Sequence, residues 1–249
     1  MGMILRKGLR IRRALLAGLL ALLCMGADGQ SLQQDLRQLQ SWQPGCVVSA
    51  EAVKRYGLSR CFMAEPLPDA VVSRMRGRSY PSGCKVPLSS LRYVRALYVG
   101  FDGKIHLGEL VCHKRIAADV AAVFRELYLK KYPIGQMRLI DDFGASDEQS
   151  MRANNTSCFC YRAVKGSTKL SKHAQGLAID INPLYNPCVR RQRGKTTVQP
   201  STAVRYADRS ATFAHKIDRA DLLYKVFTAH GFRWGGAWRT VKDYQHFEK

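Results

Sequence analysis

Four residues near the C-terminal half could do chemistry together: His173 and Asp180, seven positions apart, and the later pair Asp243 and His246. Two imidazoles and a carboxylate (His173, Asp180 and His246) are the three protein ligands of a hydrolytic zinc site that keeps one position open for water. Zinc lowers the pKa of bound water from about 16 to about 7, but a base must still take the proton during attack. Asp243 is the candidate general base, since three residues before His246 it shares a face with it if the stretch is a helical turn. Glu248 is the reserve, on the same face as His246 if the stretch is extended.

These residues need elements to hold them. Leu177, Ile179 and Ile181 alternate with Ala178, Asp180 and Asn182, predicting a strand that puts Asp180 opposite its aliphatic face. Gly176 lets the chain turn between His173 and that strand. Upstream, Tyr93–Val99 and Lys104–Cys112 flank Asp102-Gly103 and predict a hairpin. Ile116, Val120, Val123, Phe124, Leu127 and Tyr128 recur at helical spacing and predict a helix over 116–131 packed on that hairpin. Arg138–Asp141 reads as a further short strand, and Asp218 as the cap of a helix running to His230, with Gly231 as its stop. The segment 187–214, with Arg190, Arg191, Arg193 and Lys195, reads as a long basic excursion, usually a solvated loop. Trp234, Gly235, Gly236 and Trp238 either close a core around a tight turn or line a cleft, with Trp238 as a candidate substrate contact. Asn154 and Asn155 either brace the site or form a side-chain turn. His106, His113, His215 and His230 read as ordinary surface or core residues.

A resemblance now attaches to the motif. Ser-x-His-x-x-Gly-x-Ala-x-Asp (Ser171 to Asp180) and Asp-x-x-His-Phe-Glu (Asp243 to Glu248) resemble the signature of the peptidase M15 family, the zinc D-Ala-D-Ala carboxypeptidases, dipeptidases and L-alanyl-D-glutamate endopeptidases. Asn154–Ser157 and Tyr161-Arg162 are similar to its D-alanyl-D-alanine carboxypeptidase-like branch. The resemblance implies an α+β fold, an antiparallel sheet with packed helices, hedgehog/DD-peptidase-like. By position it implies His173, Asp180 and His246 as zinc ligands, Asp243 as acid/base and Ser171 as a substrate contact, and it puts Asn155 near the substrate. Arg162 resembles the arginine that polarises the scissile carbonyl, with Arg152 as a second candidate. An Asp at position 243 is the endopeptidase branch's choice rather than that of the dipeptidases.

Composition bounds the partners. The 249 residues carry 40 Lys plus Arg against 19 Asp plus Glu, a net +21, with 46% hydrophobic residues. That excludes a disordered polybasic chain and allows a substantial core. Arg6, Lys7, Arg10, Arg12 and Arg13 precede the apolar run Ala14–Leu23 and small residues, the layout of a signal peptide over 1–29 cleaved before Gln30. Its apolar run is too short for a stable transmembrane anchor. Lipidation at Cys24 is a minor alternative, because bulky Leu23 precedes it. Residues 30–83 then read as a peripheral extension and 84–249 as the peptidase domain. Without residues 1–29 the charge is still +17, which suits the carboxylates of a periplasmic or extracellular cell wall. A nucleic-acid partner would need a cytoplasmic location and a reading motif, and neither is present. Cys46, Cys61, Cys84, Cys112, Cys158, Cys160 and Cys188 make an odd set, for which export predicts disulfides; one residue between Cys158 and Cys160 is too few for a structural zinc knuckle. The sequence thus predicts an exported zinc peptidase acting on peptidoglycan stem peptides, with a non-catalytic zinc-containing wall-binding module as the alternative.

Overall fold

The computed structural model describes residues 31–164, 167–192 and 194–249. The predicted leader, its cleavage point and Cys24 lie outside them. A helix over 31–41 (α1) leads into β1 (Val47–Val48), α2 (Ala50–Tyr56), β2 (Met63–Glu65) and α3 (Asp69–Met75). The hairpin β3 (Leu91–Val99) and β4 (Ile105–His113) follows, then α4 (Ala117–Leu129), β5 (Gln136–Met137), α5 (Asp147–Arg152) and β6 (Asn155–Thr156). The last part contains β7 (Ala178–Asp180), β8 (Cys188–Gln192), β9 (Lys195–Gln199) and α6 (Leu222–Ala229). It closes with β10 (Arg233–Trp234), β11 (Val241–Asp243) and β12 (His246–Glu248). The architecture is α+β with mostly antiparallel sheets, as the sequence predicts.

The β3–β4 hairpin is the organising unit, because alternate residues on it are buried against different partners. Val94, Ala96, Tyr98, Leu110 and Cys112 join the core under α4, where Ile116, Val120, Val123, Phe124 and Leu127 are all buried. Leu91, Tyr93, Leu97, Leu107 and Val111 face a second apolar cluster built with Leu39, Trp42, Ala52, Val53, Val71 and Met75. A sheet covered on both faces reads as nearly continuous apolar sequence. Residues 31–83 therefore do more than the peripheral extension expected: they cover one face of the sheet, and β1 and β2 pair with β4 and β3 as its two outer strands. All seven cysteines among the described residues are free thiols, and the expected disulfides are not formed.

Two local expectations are corrected. Arg138–Asp141 is not a strand: β5 ends at Met137, and Ile140–Phe143 is a 3₁₀ turn. Asp141 is drawn inward there, its carboxylate accepting from the Ser79 amide at 3.0 Å and the Ser79 hydroxyl at 2.9 Å, which a flat strand would not allow. The cap of α6 is Asp221, accepting from the Leu223 amide at 2.8 Å, while Asp218 instead closes a turn onto the Ala220 amide at 2.9 Å. The Asx turn competes for the same side-chain geometry as a cap, so either aspartate fitted the pattern.

The basic excursion is a folded arm. It contains the β8–β9 hairpin and a 3₁₀ turn over Ser201–Tyr206. Arg209 pins it, donating to the carbonyls of Tyr185 at 3.0 Å and Ile217 at 2.8 Å, with its guanidinium over the Tyr244 ring at 4.3 Å. Among the described residues no helix is long and apolar enough to cross a membrane.

Candidate metal centre

His173 and Asp180 are delivered by one local device. Ser171 Oγ accepts from the Ala174 amide at 3.2 Å and starts a 3₁₀ turn over His173–Gln175. Gly176 ends that turn at φ 67°, and a Cβ there would lie 2.7 Å from the His113 amide nitrogen. Only glycine satisfies both the left-handed backbone and that close approach. The chain then enters β7, which places Asp180 directly opposite His246 on β12. Asp243 and His246 are not on a helical turn, as the spacing suggested: Asp243 ends β11, Tyr244-Gln245 turns the chain, and His246 begins β12. Gly235 makes room for that turn, since a Cβ on it would lie 2.7 Å from the Asp243 carbonyl oxygen.

The three predicted ligands converge. His173 Nε2, His246 Nδ1 and Asp180 Oδ1 form a triangle with every edge at 3.2 Å, and all three residues are buried. Ligand bonds of about 2.0–2.1 Å in a tetrahedral site give edges of about 3.3 Å, so the triangle has the size of one face of a zinc tetrahedron. The tautomers agree. His173 Nδ1 lies 2.7 Å from the Cys158 carbonyl, which has no proton to give, so Nδ1 donates and Nε2 turns a lone pair to the cluster. His246 Nε2 faces Glu248 Oε2 at 3.4 Å, which leaves its Nδ1 for the same point. Orienting partners of this kind are what metal-binding histidines require.

Charge tells the same story. Burial works against an ionised Asp180, yet the two histidines hold its carboxyl well below the usual carboxylate range. Burial likewise opposes a protonated His246, but bonding to Asp180 and Glu248 raises its pKa to about 10. An ionised, buried Asp180 calls for a cation within reach, and a protonated imidazole or a metal dication each answers it. Beside the triangle, the carboxyl of Asp243 is pushed up, first by burial and then by the Asp180 charge. Its Oδ1 and Gln245 Oε1 are buried atoms without a hydrogen-bond partner among the described residues. A buried acceptor left unmatched beside three converging ligands is what a site built to receive a proton donor looks like.

Residues 165–249 match the family described as D-alanyl-D-alanine carboxypeptidase, and that stretch holds His173, Asp180, Asp243 and His246. That match supports membership of the peptidase M15 family. No solved structure matches the chain.

The remaining predicted residues divide. Trp238 is at the centre, half-buried with its ring 5.1 Å from that of His246. Arg162 pairs with Asp147; burial disfavours its charge, but Asp147, Cys160 and Asp180 more than offset that. Sensing Asp180 in this way puts it within electrostatic reach of the triangle, whereas Arg152 is an exposed residue bound to Glu148 and Ser201. Ser171, buried, accepts from the Ala174 amide and so braces the turn that carries His173. Asn155 is fully buried, its amide group accepting from the Arg138 amide at 2.9 Å and donating to the Arg138 carbonyl and Ser150 Oγ at 3.0 Å. No surface of Asn155 is left for a substrate, so its place is in the frame. Sequence reading missed Cys188, directly opposite Asp243 in the β11–β8 pair, and Gln245. The Cys188 thiol is pushed up by burial and by Asp243. The alternation of β8 could have found it; the strand partner could not be known.

Proposed function

We propose that the protein is an exported zinc metallopeptidase that hydrolyses peptidoglycan stem-peptide bonds involving D-amino acids, of the D-Ala-D-Ala carboxypeptidase or L-Ala-D-Glu endopeptidase type. The observation that carries this reading is the 3.2 Å triangle of His173, Asp180 and His246 beside a carboxylate oxygen of Asp243 that has no hydrogen-bond partner among the described residues. His173, Asp180 and His246 would hold the ion. Bound zinc supplies Lewis acidity to the attacking water and to the scissile carbonyl.

The chain's own residues do the rest. Asp243 takes the proton of the attacking water, a task favoured by a carboxyl whose pKa is raised toward working pH. It then returns that proton to the leaving amine. Arg162 offers a fixed guanidinium to the carbonyl oxygen as negative charge grows there, and Asp147 holds it in place. Trp238 walls the site beside His246 and contacts the substrate, with Ser171 at its margin. The signal-like layout of residues 1–29 and the net positive charge support an extracytoplasmic location against an anionic wall.

The test is zinc stoichiometry and stem-peptide hydrolysis, followed by mass spectrometry of digested peptidoglycan, for wild type and Asp243→Ala. Expected are a zinc-loaded wild type that cleaves and a zinc-loaded variant that does not. A zinc-loaded wild type that cleaves no muropeptide would overturn the enzymatic reading in favour of a wall-binding module.

A further inference from the structure

The catalytic acid of the proposed mechanism does not stand alone on its sheet. It ends the short strand β11, which pairs with β8, which pairs in turn with β9. Residues directly opposite one another in antiparallel strands share a face. Asp243 lies opposite Cys188, and Cys188 opposite Gln199; one pleat further, Val241, Arg190 and Thr197 are aligned; at the tip, Gln192 is aligned with Lys195. One continuous face therefore carries Asp243, Cys188, Arg190 and Lys195, filled out by Thr197, Gln192 and Gln199. Alternation along β8 puts Arg190 on the same side of the sheet as Cys188, and so on the side of Asp243.

That face is basic and unneutralised. Among the described residues neither Arg190 nor Lys195 takes part in an ion pair, whereas Arg233 and Lys249 are matched to Glu248 and Asp119 at 2.8 and 2.6 Å. Lys195, Gln192 and Thr197 are exposed and Arg190 is half-buried, so the face opens outward from the acid. Diagonal neighbours across two strands lie about 7–8 Å apart, and an extended peptide advances about 3.3 Å per residue. Arg190 is thus about two substrate residues from the base.

Resting on the peptidase reading above, we propose that Arg190 and Lys195 form a carboxylate-binding platform that grips an anionic residue of the peptide about two positions from the scissile bond. It makes the protein prefer stem peptides with free side-chain carboxylates over their amidated forms. A planar guanidinium on a paired strand is suited to a two-pronged grip on a carboxylate, and Lys195 adds a longer-range attraction at the tip.

The experiment uses the zinc-loaded full chain and two synthetic D-amino-acid stem peptides with free C-termini, identical except that one has its side-chain carboxylates amidated. Calorimetric binding and steady-state hydrolysis are measured in low and high salt. Wild type should bind the carboxylate form about tenfold more tightly, a preference that shrinks as salt screens the exposed charges. The double variant Arg190→Gln/Lys195→Gln should lose the preference through KM while keeping its kcat on the amidated peptide, and Arg190→Lys should keep part of it. Equal binding of both peptides by wild type, or a preference that survives in the double variant, overturns the platform. A wild type that binds with the preference but cleaves neither peptide refutes the peptidase reading and leaves the platform standing; one that cleaves both without preference does the reverse. Binding neither peptide overturns both.

Discussion

Glu109 and Asp243 are both carboxylates turned into the protein, and they are treated in opposite ways. Glu109, on β4, has no exposed surface, and it is fully matched: Arg74 donates to it twice, at 2.9 and 2.6 Å, and the Tyr93 hydroxyl at 2.8 Å. Arg74 also reaches Asp142 at 2.9 Å, so the network ties α3 to the hairpin and to the 3₁₀ turn at Ile140–Phe143. Asp243 instead keeps one buried oxygen without a partner among the described residues and sits next to a second acid, Asp180. Burying charge is costly in either place. Where every lone pair is answered the carboxylate acts as a rivet; where one is left open it suits the proton-accepting role proposed for it.

That contrast can be broken or sharpened by substitution. The largest effect is expected at the triangle: Asp180→Ala should take bound zinc from about one equivalent to near none, read by metal analysis of the purified protein. With it should go hydrolysis, while the far cluster around α3 keeps its protection in hydrogen exchange. Asp243→Asn, by contrast, should keep the zinc and lower kcat by about 10²–10⁴-fold, the range of general acid–base catalysis, in a stem-peptide assay. Arg74→Met should cost about 3 kcal/mol in a denaturant melt, because Glu109 is left charged in the interior without its cation. The same variant, once folded, should bind zinc as wild type does; a loss of zinc would mean that the two regions are not independent. Glu248→Gln should weaken zinc affinity by about 10–100-fold in a chelator competition, through poorer orientation of His246. Smallest of all, Arg152→Ala should leave stability within about 0.5 kcal/mol and activity unchanged, since its ion pair is exposed.

Legibility in the sequence followed locality. His173, Gly176 and Asp180 lie within eight residues, so residue type, spacing and strand alternation carried them together, and the Asp243-His246 pair was equally compact. The β3–β4 hairpin and α4 were readable for the same reason, since each repeats its apolar pattern over several turns or pleats. The helical turn inferred for Asp243 and His246 failed because a spacing of three also fits a tight turn between two strands, and only pairing with β8 and β7 separates the two. Asn155 looked like a substrate contact because polar residues near a motif invite that reading; its three hydrogen bonds to Arg138 and Ser150 are long-range or cross-element facts.

By itself, the sequence determined the candidate ligands, the candidate acid and the elements that carry them, because these depend on short stretches whose side-chain periodicity is fixed by backbone geometry. Only the tertiary structure decided what those residues meet. It put Asp180 against His246 across 66 positions, Glu109 against Arg74 across 35, and Arg190 on the same face as Asp243. It also built residues 31–83 into the sheet rather than beside it. Such pairings are set by which apolar surfaces can be buried together and which polar groups must then be answered, and a sum over the whole core decides them, not a local pattern.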